Sequence, residues 1–332
     1  LANGIRSQCR KSLSRSITLV ESTRAEHRRT AGELVNKLVA STPTDVHPSL
    51  RVAVTGPPGA GKSSLIERLG MYILESKPEA RLAVLAIDPT SLRGAKGSIL
   101  GDKTRMDNLS LHPRSFVRPS PTRGSAGGVT RATGDAITLV EAAGYDHVIV
   151  ETVGVGQSEA AAEALVDIFM LCETPSGGDS LQGIKRGIME LADLLVVTKD
   201  DGDFVKGAAR TSLEMRSALR LVEPKHSQAD APNWETKVIR VSAATGKNLD
   251  KLYALLLQLH SSLHATGALA RRRAEQREEW FHTILADDLL HRSLAAPSLA
   301  SHLHSLTASV RQGTISAGSA VDAFLDRLLP QH

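Results

Sequence analysis

The sequence predicts an α/β fold, with a doubly wound and mainly parallel sheet and with helical extensions at both ends. Six short apolar runs, each typical of a strand buried on both faces, alternate with stretches of helical periodicity. These runs are LRVAVTG, RLAVLAID, DHVIVETVG, VDIFMLCE, ADLLVVTKDD and KVIRVSA. Such alternation is typical of βαβ units, whose ligands bind at the carboxyl ends of the strands.

The N-terminal part of the chain has the periodicity of helices. Residues 1–48 predict two amphipathic helices, because charged residues fill the gaps between apolar residues at helical spacing. The apolar residues are Leu13, Ile17, Val20, Leu34, Val35, Leu38 and Val39. The stretch STPTDVHPS (Ser41–Ser49) is rich in Pro and small polar residues, as linkers are.

The C-terminal part is also helical in pattern. One long helix is predicted from about residue 265, with an apolar stripe of Trp280, Ile284, Leu285 and Leu289. Pro297 and Gly313 separate two further helical stretches. We therefore expect three parts: an N-terminal helical extension at 1–48, an α/β domain at 49–264 and a C-terminal helical arm at 265–332.

Composition argues against several classes of function. The 332 residues carry a net charge of +4 and only 3% aromatic residues, too few for a base-stacking nucleic-acid surface. No apolar run approaches the ~18 residues of a membrane span. Cys9 and Cys172 stand in no metal-ligand or disulfide spacing, which favours a reducing compartment. We expect neither nucleic acid nor membrane as a partner.

The stretch GPPGAGKS at residues 56–63 fits the phosphate-loop pattern G-x-x-x-x-G-K-[ST]. A predicted strand precedes it and a predicted helix follows it, as this motif requires. Glycines let backbone N–H groups point at an anion, Lys62 would neutralise the β- and γ-phosphates, and Ser63 would bind Mg²⁺. The predicted fold is therefore that of a P-loop NTPase. The expected phosphate-binding residues are Gly56, Pro57, Pro58, Gly59, Ala60, Gly61, Lys62, Ser63 and Ser64.

Two segments after late strands indicate that the nucleotide is GTP. The pattern T-K-x-D contains Thr198, Lys199 and Asp201. A carboxylate at Asp201 accepts hydrogen bonds from guanine N1–H and N2–H₂ together, a pair of donors that adenine lacks. Backbone N–H groups in VSAATG, at Ser242, Ala243 and Ala244, would bind the guanine O6. Taken alone, T-K-x-D also fits a solvated loop.

Acidic residues at strand ends are candidates for Mg²⁺. Glu151 ends one predicted strand, with Gly154 after it, and would hold Mg²⁺ through water. Asp88 ends another, and Asp102 lies in GSILGDKTRM. The metal-binding candidates are thus Ser63, Asp88, Asp102 and Glu151. Each of the three carboxylates also fits a helix cap.

Two stretches rich in glycine and small polar residues are predicted to be loops that respond to the γ-phosphate. They are RPSPTRGSAGGVTRAT (Arg118–Thr133) and PSGGDSLQGIKRG (Pro175–Gly187). Lys185 or Arg186 would add positive charge where transition-state charge grows. Solvated loops without a catalytic role are the alternative. With Lys62 and Glu151, Lys185 completes the set of expected catalytic residues.

These motifs closely resemble the MeaB/MMAA family of P-loop GTPases over nearly all of the chain. The string RPSPTRGSAGGVTR is long and unusual, and GPPGAGKSSLIERLG, ETVGVGQSE and GGDSLQGIKRGIMELADLLVVTKDDGD also match. Asp88–Met106, Glu151–Glu159 and Gly177–Gly187 look like the three switch regions of the family, and Lys185 matches a switch lysine. The departure is Thr198, which stands where many GTPases have Asn.

The resemblance implies a function that the spacing of residues alone does not. Members of this family hydrolyse GTP with Mg²⁺ as molecular chaperones of adenosylcobalamin-dependent methylmalonyl-CoA mutase. They protect this partner, gate its cofactor loading and form homodimers through the C-terminal arm. The implied location is intracellular: the mitochondrial matrix in a eukaryote and the cytoplasm in a bacterium.

Two other functions share the phosphate loop. A nucleotide-dependent kinase of a small molecule or transport protein would need an acceptor pocket and a positioned base. A structural scaffold would bind GTP without turnover.

Overall fold

A computed structural model describes residues 1–22, 24–41, 48–88, 106–121, 126–152, 158–175 and 186–328. Its centre is a sheet of seven parallel strands in the order β3-β2-β4-β1-β5-β6-β7. The strands are β1 (Leu50–Thr55), β2 (Leu82–Asp88), β3 (Ser115–Pro121), β4 (His147–Thr152), β5 (Ile168–Glu173), β6 (Leu194–Val197) and β7 (Lys237–Arg240). The α/β class and the parallel sheet predicted from the sequence are confirmed.

Helices flank the sheet and extend beyond it at both ends of the chain. Before the sheet come α1 (Ala2–Arg6), α2 (Arg10–Val20) and α3 (Ala25–Val39). Between the strands lie α4 (Lys62–Ser76), α5 (Asp107–Leu111), α6 (Ala126–Ala142), α7 (Ser158–Glu163), α8 (Arg186–Glu190) and α9 (Val205–Leu219). After the sheet come α10 (Leu249–Ala265), α11 (Ala268–Ala295), α12 (Pro297–Arg311) and α13 (Ala317–Leu328). Among the described residues, none of these helices combines the length and the apolar character of a membrane span.

The register of the central strands determines where the site lies. All six residues of β5 are buried, as expected for a strand covered on both faces. In β1, Val54 pairs with Glu151 of β4 on one side and with Met170 of β5 on the other. Because the strands are parallel, their carboxyl ends meet at one edge, where the chain leaves β1 into the GPPGAGKS segment.

The prediction that Arg118–Thr133 is one loop was wrong. Its first residues belong to β3, and Ala126 onward belongs to α6; residues 122–125 lie outside the described part. Pro119 and Pro121 lack the N–H that a central strand must donate. An edge strand tolerates this loss, and β3 is the edge of the sheet.

The N-terminal extension packs on the domain, and it contains one helix more than predicted. Helices α2 and α3 lie against α6. Leu13, Ile17 and Leu38 are fully buried there, whereas Val39 is exposed. An ion pair of 2.5 Å joins Arg118 of β3 to Glu21 after α2. The short α1 was missed because five residues hold too few apolar positions for a period to show.

The chain divides into two compact units, Leu1–Arg277 and Glu278–His332. Within the second unit α12 packs on α13, and the ring of His302 stacks on Phe324 with centroids 6.5 Å apart. The long helix predicted near residue 265 is present as α11. The three-part division at residues 48 and 264 stays a prediction.

The sequence RRR at Arg271–Arg273 pairs with carboxylates within the chain. Arg271 contacts Asp230, and Arg272 contacts Glu163. Arg273 binds Asp167 through two bonds of 2.8 and 2.7 Å. Asp167 is fully buried and also accepts from the backbone N–H of Arg51. Burial alone would raise the pKa of Asp167, but Arg273 and Arg51 hold it below its usual range.

Replacing Arg273 by Ala is expected to lower the free energy of unfolding at pH 7 by about 3–5 kcal/mol, because a buried carboxylate loses its partner. A lowered folded-state pKa gives stability above the unfolded pKa that is lost as pH falls through the folded value. The variant should therefore lose less stability than the wild type between pH 7 and pH 3. Urea unfolding at several pH values measures both effects. Arg271→Ala is the matched control, and equal losses in the two variants would contradict the prediction.

Candidate functional site

The loop between β1 and α4 has the backbone of a phosphate cradle. Gly56, Gly59 and Gly61 have φ angles of 142°, 82° and 77°, in the region that favours glycine. The Lys62 side chain is 8% exposed, and its ammonium donates to the carbonyls of Gly56 at 2.7 Å and Pro57 at 3.1 Å. The ammonium thus lies inside the loop, and α4 begins at the same residue. The loop joins a cation to a helix N-terminus, a combination that favours a phosphate.

Ser63 and Glu151 lie together beside this loop. The Ser63 hydroxyl donates to Oε1 of Glu151 at 2.6 Å. One strand step beyond Glu151, the Thr152 hydroxyl donates to Thr55 of β1 at 2.8 Å, which holds the two strand ends together. A hydroxyl and a carboxylate are the hard oxygen ligands that Mg²⁺ takes, in company with phosphate oxygens and water. These two residues therefore fit the metal.

The segments predicted to bind guanine also meet. The Ser242 hydroxyl donates to Oδ2 of Asp201, and it accepts from the N–H of Thr245 at 3.1 Å. Lys199 has a φ of 55°, so the backbone turns between Thr198 and Asp201. The sequence argument gave Ser242 a backbone role only. Its side chain orients the carboxylate as well.

Thr198 contacts the phosphate loop directly. Its hydroxyl oxygen is 2.6 Å from the carbonyl of Ala60 and 3.0 Å from that of Glu173, and it donates its hydrogen to one of the two at a time. Thr198 is 3% exposed. A threonine here connects the segment predicted to bind guanine to the phosphate loop, so a residue other than Asn still makes a bond to that loop.

The first turns of α4 carry two residues of the site that the sequence analysis missed. The Arg68 guanidinium donates to the carbonyl of Ala243 at 3.0 Å, which ties α4 to the guanine segment. Glu67 is 7% exposed and accepts from the N–H of Asn108 at 2.8 Å, at the start of α5. Glu67 follows Ser63 by one helical turn, so a charged residue on the buried face of α4 was the available signal.

The end of β5 lies behind the phosphate loop. Burial raises the pKa of Glu173, while the N–H of Thr174 and the ammonium of Lys62 oppose the rise. Burial also raises the pKa of the Cys172 thiol to about 12. Cys172 is thus a protonated, unreactive packing residue.

Several predicted site residues fall outside this description. Lys185, Asp102, Gly154 and most of the three switch-like segments lie outside the described residues. Asp88 ends β2, but its side chain is not part of the description. Pro58 and Gly59 lie in the loop, and Ser64 lies in the first turn of α4. Within the described part of the chain, no group of three or more His, Cys, Asp or Glu residues is arranged to hold a metal.

A family profile described as "Methylmalonyl Co-A mutase-associated GTPase MeaB" matches residues 13–298. The chain belongs to the MeaB family. A Caulobacter vibrioides protein named "Putative GTPase" is 46% identical over 316 residues, which cover 95% of this chain and 93% of that protein. The mouse protein "Methylmalonic aciduria type A homolog, mitochondrial" is 41% identical over 97% of this chain and 77% of its own length.

The MeaB-family assignment agrees with solved structures. The crystal structure of an LAO/AO transport system kinase matches 98% of this chain and 96% of its own, with a TM-score of 0.76 and 29% identity. The family resemblance and the P-loop GTPase fold expected from the motifs are thereby confirmed. Guanine-nucleotide binding follows for this chain from its membership of a GTPase family.

Proposed function

We propose that this protein hydrolyses GTP to GDP and phosphate, with Mg²⁺, as a chaperone of adenosylcobalamin-dependent methylmalonyl-CoA mutase. The observation that carries the GTPase part is that Ser63 contacts Glu151 at 2.6 Å beside a phosphate loop that encloses the Lys62 ammonium. The contact of Ser242 with Asp201 supports guanine as the base. The mutase part is supported by the family description and by the mouse relative's name. The mitochondrial name of that relative supports a matrix location for eukaryotic members.

In this proposal the chain's own residues bind and orient the nucleotide. Lys62 would swing from the loop carbonyls to the β- and γ-phosphates and carry part of the charge that grows during in-line attack by water. Bound Mg²⁺, held by Ser63 and through water by Glu151, would supply further charge stabilisation. Asp201 would hold the guanine, with Ser242 fixing its carboxylate. Binding of Mg²⁺ by Asp88 and Asp102 and a catalytic role for Lys185 are also part of the proposal.

Phosphate release measured with labelled GTP tests this function. We expect slow release of free phosphate by the protein alone and a change in rate or nucleotide affinity when the mutase is added. Lys62→Ala should lose nucleotide binding. No effect of the mutase on either quantity would contradict the chaperone role.

The same experiment separates the two rival functions. The name of the transport system kinase structure supports a second candidate, transfer of phosphate to an acceptor. Label on an acceptor instead of free phosphate would favour that kinase. GTP binding with neither product would favour a scaffold.

A homodimer is part of the proposal, and exposed apolar residues on two helices of the second unit support it. Phe281, Leu285 and Leu289 are exposed at intervals of four residues on α11, and Val321 and Leu325 are exposed four residues apart on α13. Monomeric proteins rarely leave apolar stripes of this kind in water. Light scattering is expected to give twice the chain mass of 35.4 kDa, and a monomer mass would contradict the dimer.

A further inference from the structure

A cluster of charged residues joins the end of α7 and the first turns of α11 to the segments after α8 and α9, at the edge of the sheet opposite the phosphate loop. We call it the Arg272 cluster; its members are Glu163, Asp193, Lys225, His226 and Arg272. Glu163, the last residue of α7, contacts Arg272 of α11 at 2.5 Å and Lys225 at 3.1 Å. The side chains of Arg272, Lys225 and Glu163 are 16%, 13% and 22% exposed. Solvent therefore screens these pairs less than it screens surface pairs.

The cluster also holds the chain after α8. Lys225 contacts Asp193 at 2.9 Å and donates to the carbonyl of Leu191 at 2.7 Å. His226 contacts the other oxygen of Asp193 at 2.5 Å. Burial alone would raise the pKa of Asp193, but Lys225, His226 and Arg272 lower it well below its usual range. Asp193 thus stays charged and binds the residues after α8 to Lys225 and His226, which follow α9.

Helix α11 contacts the end of α7 at a second point. The side-chain amide of Gln276 donates to the carbonyls of Val166 at 2.8 Å and Glu163 at 3.3 Å. Gln276 follows Arg272 by four residues, so both project from the same face of α11. One face of the first turns of α11 therefore fixes both the side chain and the backbone at the end of α7.

The placement of α7 bears on the nucleotide site. Glu151, which binds Ser63, precedes α7 by only seven residues, and α7 itself is about 9 Å long. A helix of six residues has little stability of its own, so its position depends on what it packs against. It packs against α6, β4 and β1, and its C-terminal end is also held by the Arg272 cluster and Gln276.

We infer that Arg272 is a positioning residue that, through Glu163, fixes α7 and couples the first turns of α11 to GTP turnover. The inference rests on the proposed GTPase activity. Coupling of this kind is reciprocal: a nucleotide that changes the position of α7 changes the stability of the first turns of α11 by the same free energy. A purely structural ion pair would show no such dependence on the nucleotide.

Hydrogen exchange on the full chain, with GDP or with a non-hydrolysable GTP analogue, tests the coupling. Amides of residues 268–277 are expected to exchange at rates that differ about threefold or more between the two states in the wild type. Arg272→Ala should abolish this difference. Arg271→Ala removes the same charge from the neighbouring position. Because Arg271 contacts Asp230 instead of α7, this variant should keep the difference in exchange.

Steady-state kinetics gives a second readout. We expect kcat of Arg272→Ala to fall about fivefold or more while KM for GTP changes less than twofold. Equal exchange of residues 268–277 in the two wild-type states would overturn the inference, as would a difference that persists in Arg272→Ala. If Arg272→Ala does not fold, the isosteric Glu163→Gln decides the same question. Calorimetry of GTP binding distinguishes failure of this inference from failure of the proposed function. Loss of the coupling with GTP binding intact contradicts this inference alone.

Discussion

Replacing Asp201 by Asn is expected to lower the affinity for GTP about a hundredfold or more, because two charge-assisted bonds to guanine are lost. An Asn amide presents an N–H₂ where guanine also presents donors. Affinity for ATP should change little, since adenine gains no partner. Xanthosine triphosphate, which has a carbonyl where guanine has its N2 amine, should bind the variant better than it binds the wild type.

Calorimetry with the three nucleotides measures this change in preference. Asp203→Asn is the matched control, because Asp203 lies two residues further on, is exposed, and should leave all three affinities unchanged. Ser242 can still donate to the Asn carbonyl, so the variant should keep the local fold. A wild-type protein that binds ATP as tightly as GTP would contradict both the prediction and the role proposed for Asp201.

The strand, loop and helix around residues 56–63 were predicted from the sequence because a short motif at a strand end sets them. Residues 56–63 contain their own turn and helix start, so their geometry is local. Ser63 and Glu151 are 88 residues apart, and both were predicted to lie near Mg²⁺. Their direct contact forms because parallel strands bring their carboxyl ends to one edge. Where the end of a parallel strand can be recognised in the sequence, the topology of the sheet predicts which distant residues lie close together.

What the sequence did not predict depends on partners that no local pattern identifies. The strand β3 is shaped by its place at the sheet edge, where its prolines are tolerated. No local pattern around RRR identifies the partners of its arginines, because Arg272 and Arg273 pair with carboxylates more than a hundred residues away. A run of arginines in the sequence does not show whether each one is solvated or paired, because the carboxylate that would pair with it is distant in the sequence.

Glycine at position 56 is required for a reason that its motif alone does not state. A Cβ placed there would lie 2.1 Å from the carbonyl oxygen of Cys172, in the neighbouring strand β5. That oxygen belongs to the backbone of a buried central strand, so it cannot move without shifting the sheet. The φ of 142° adds a conformation that other residues rarely adopt.

We therefore expect Gly56→Ala to lower the free energy of unfolding by about 3–5 kcal/mol, from backbone strain and overpacking together. GTP affinity should fall more than a hundredfold, because the carbonyl of Gly56 also holds Lys62 and any relief of the clash moves the start of the phosphate loop. Chemical denaturation and calorimetry measure the two effects.

Variants at two other glycines separate backbone strain from overpacking as causes of the lower stability. At Gly59, with a φ of 82°, a Cβ would meet no described atom within 4 Å, so Gly59→Ala carries strain without a clash and should cost about 1–2 kcal/mol. Gly32 lies in helix α3 with equally open space, and Gly32→Ala should stabilise the protein by about 0.5–1 kcal/mol. A Gly56→Ala variant no less stable than Gly59→Ala would mean that the close approach to Cys172 does not constrain the phosphate loop.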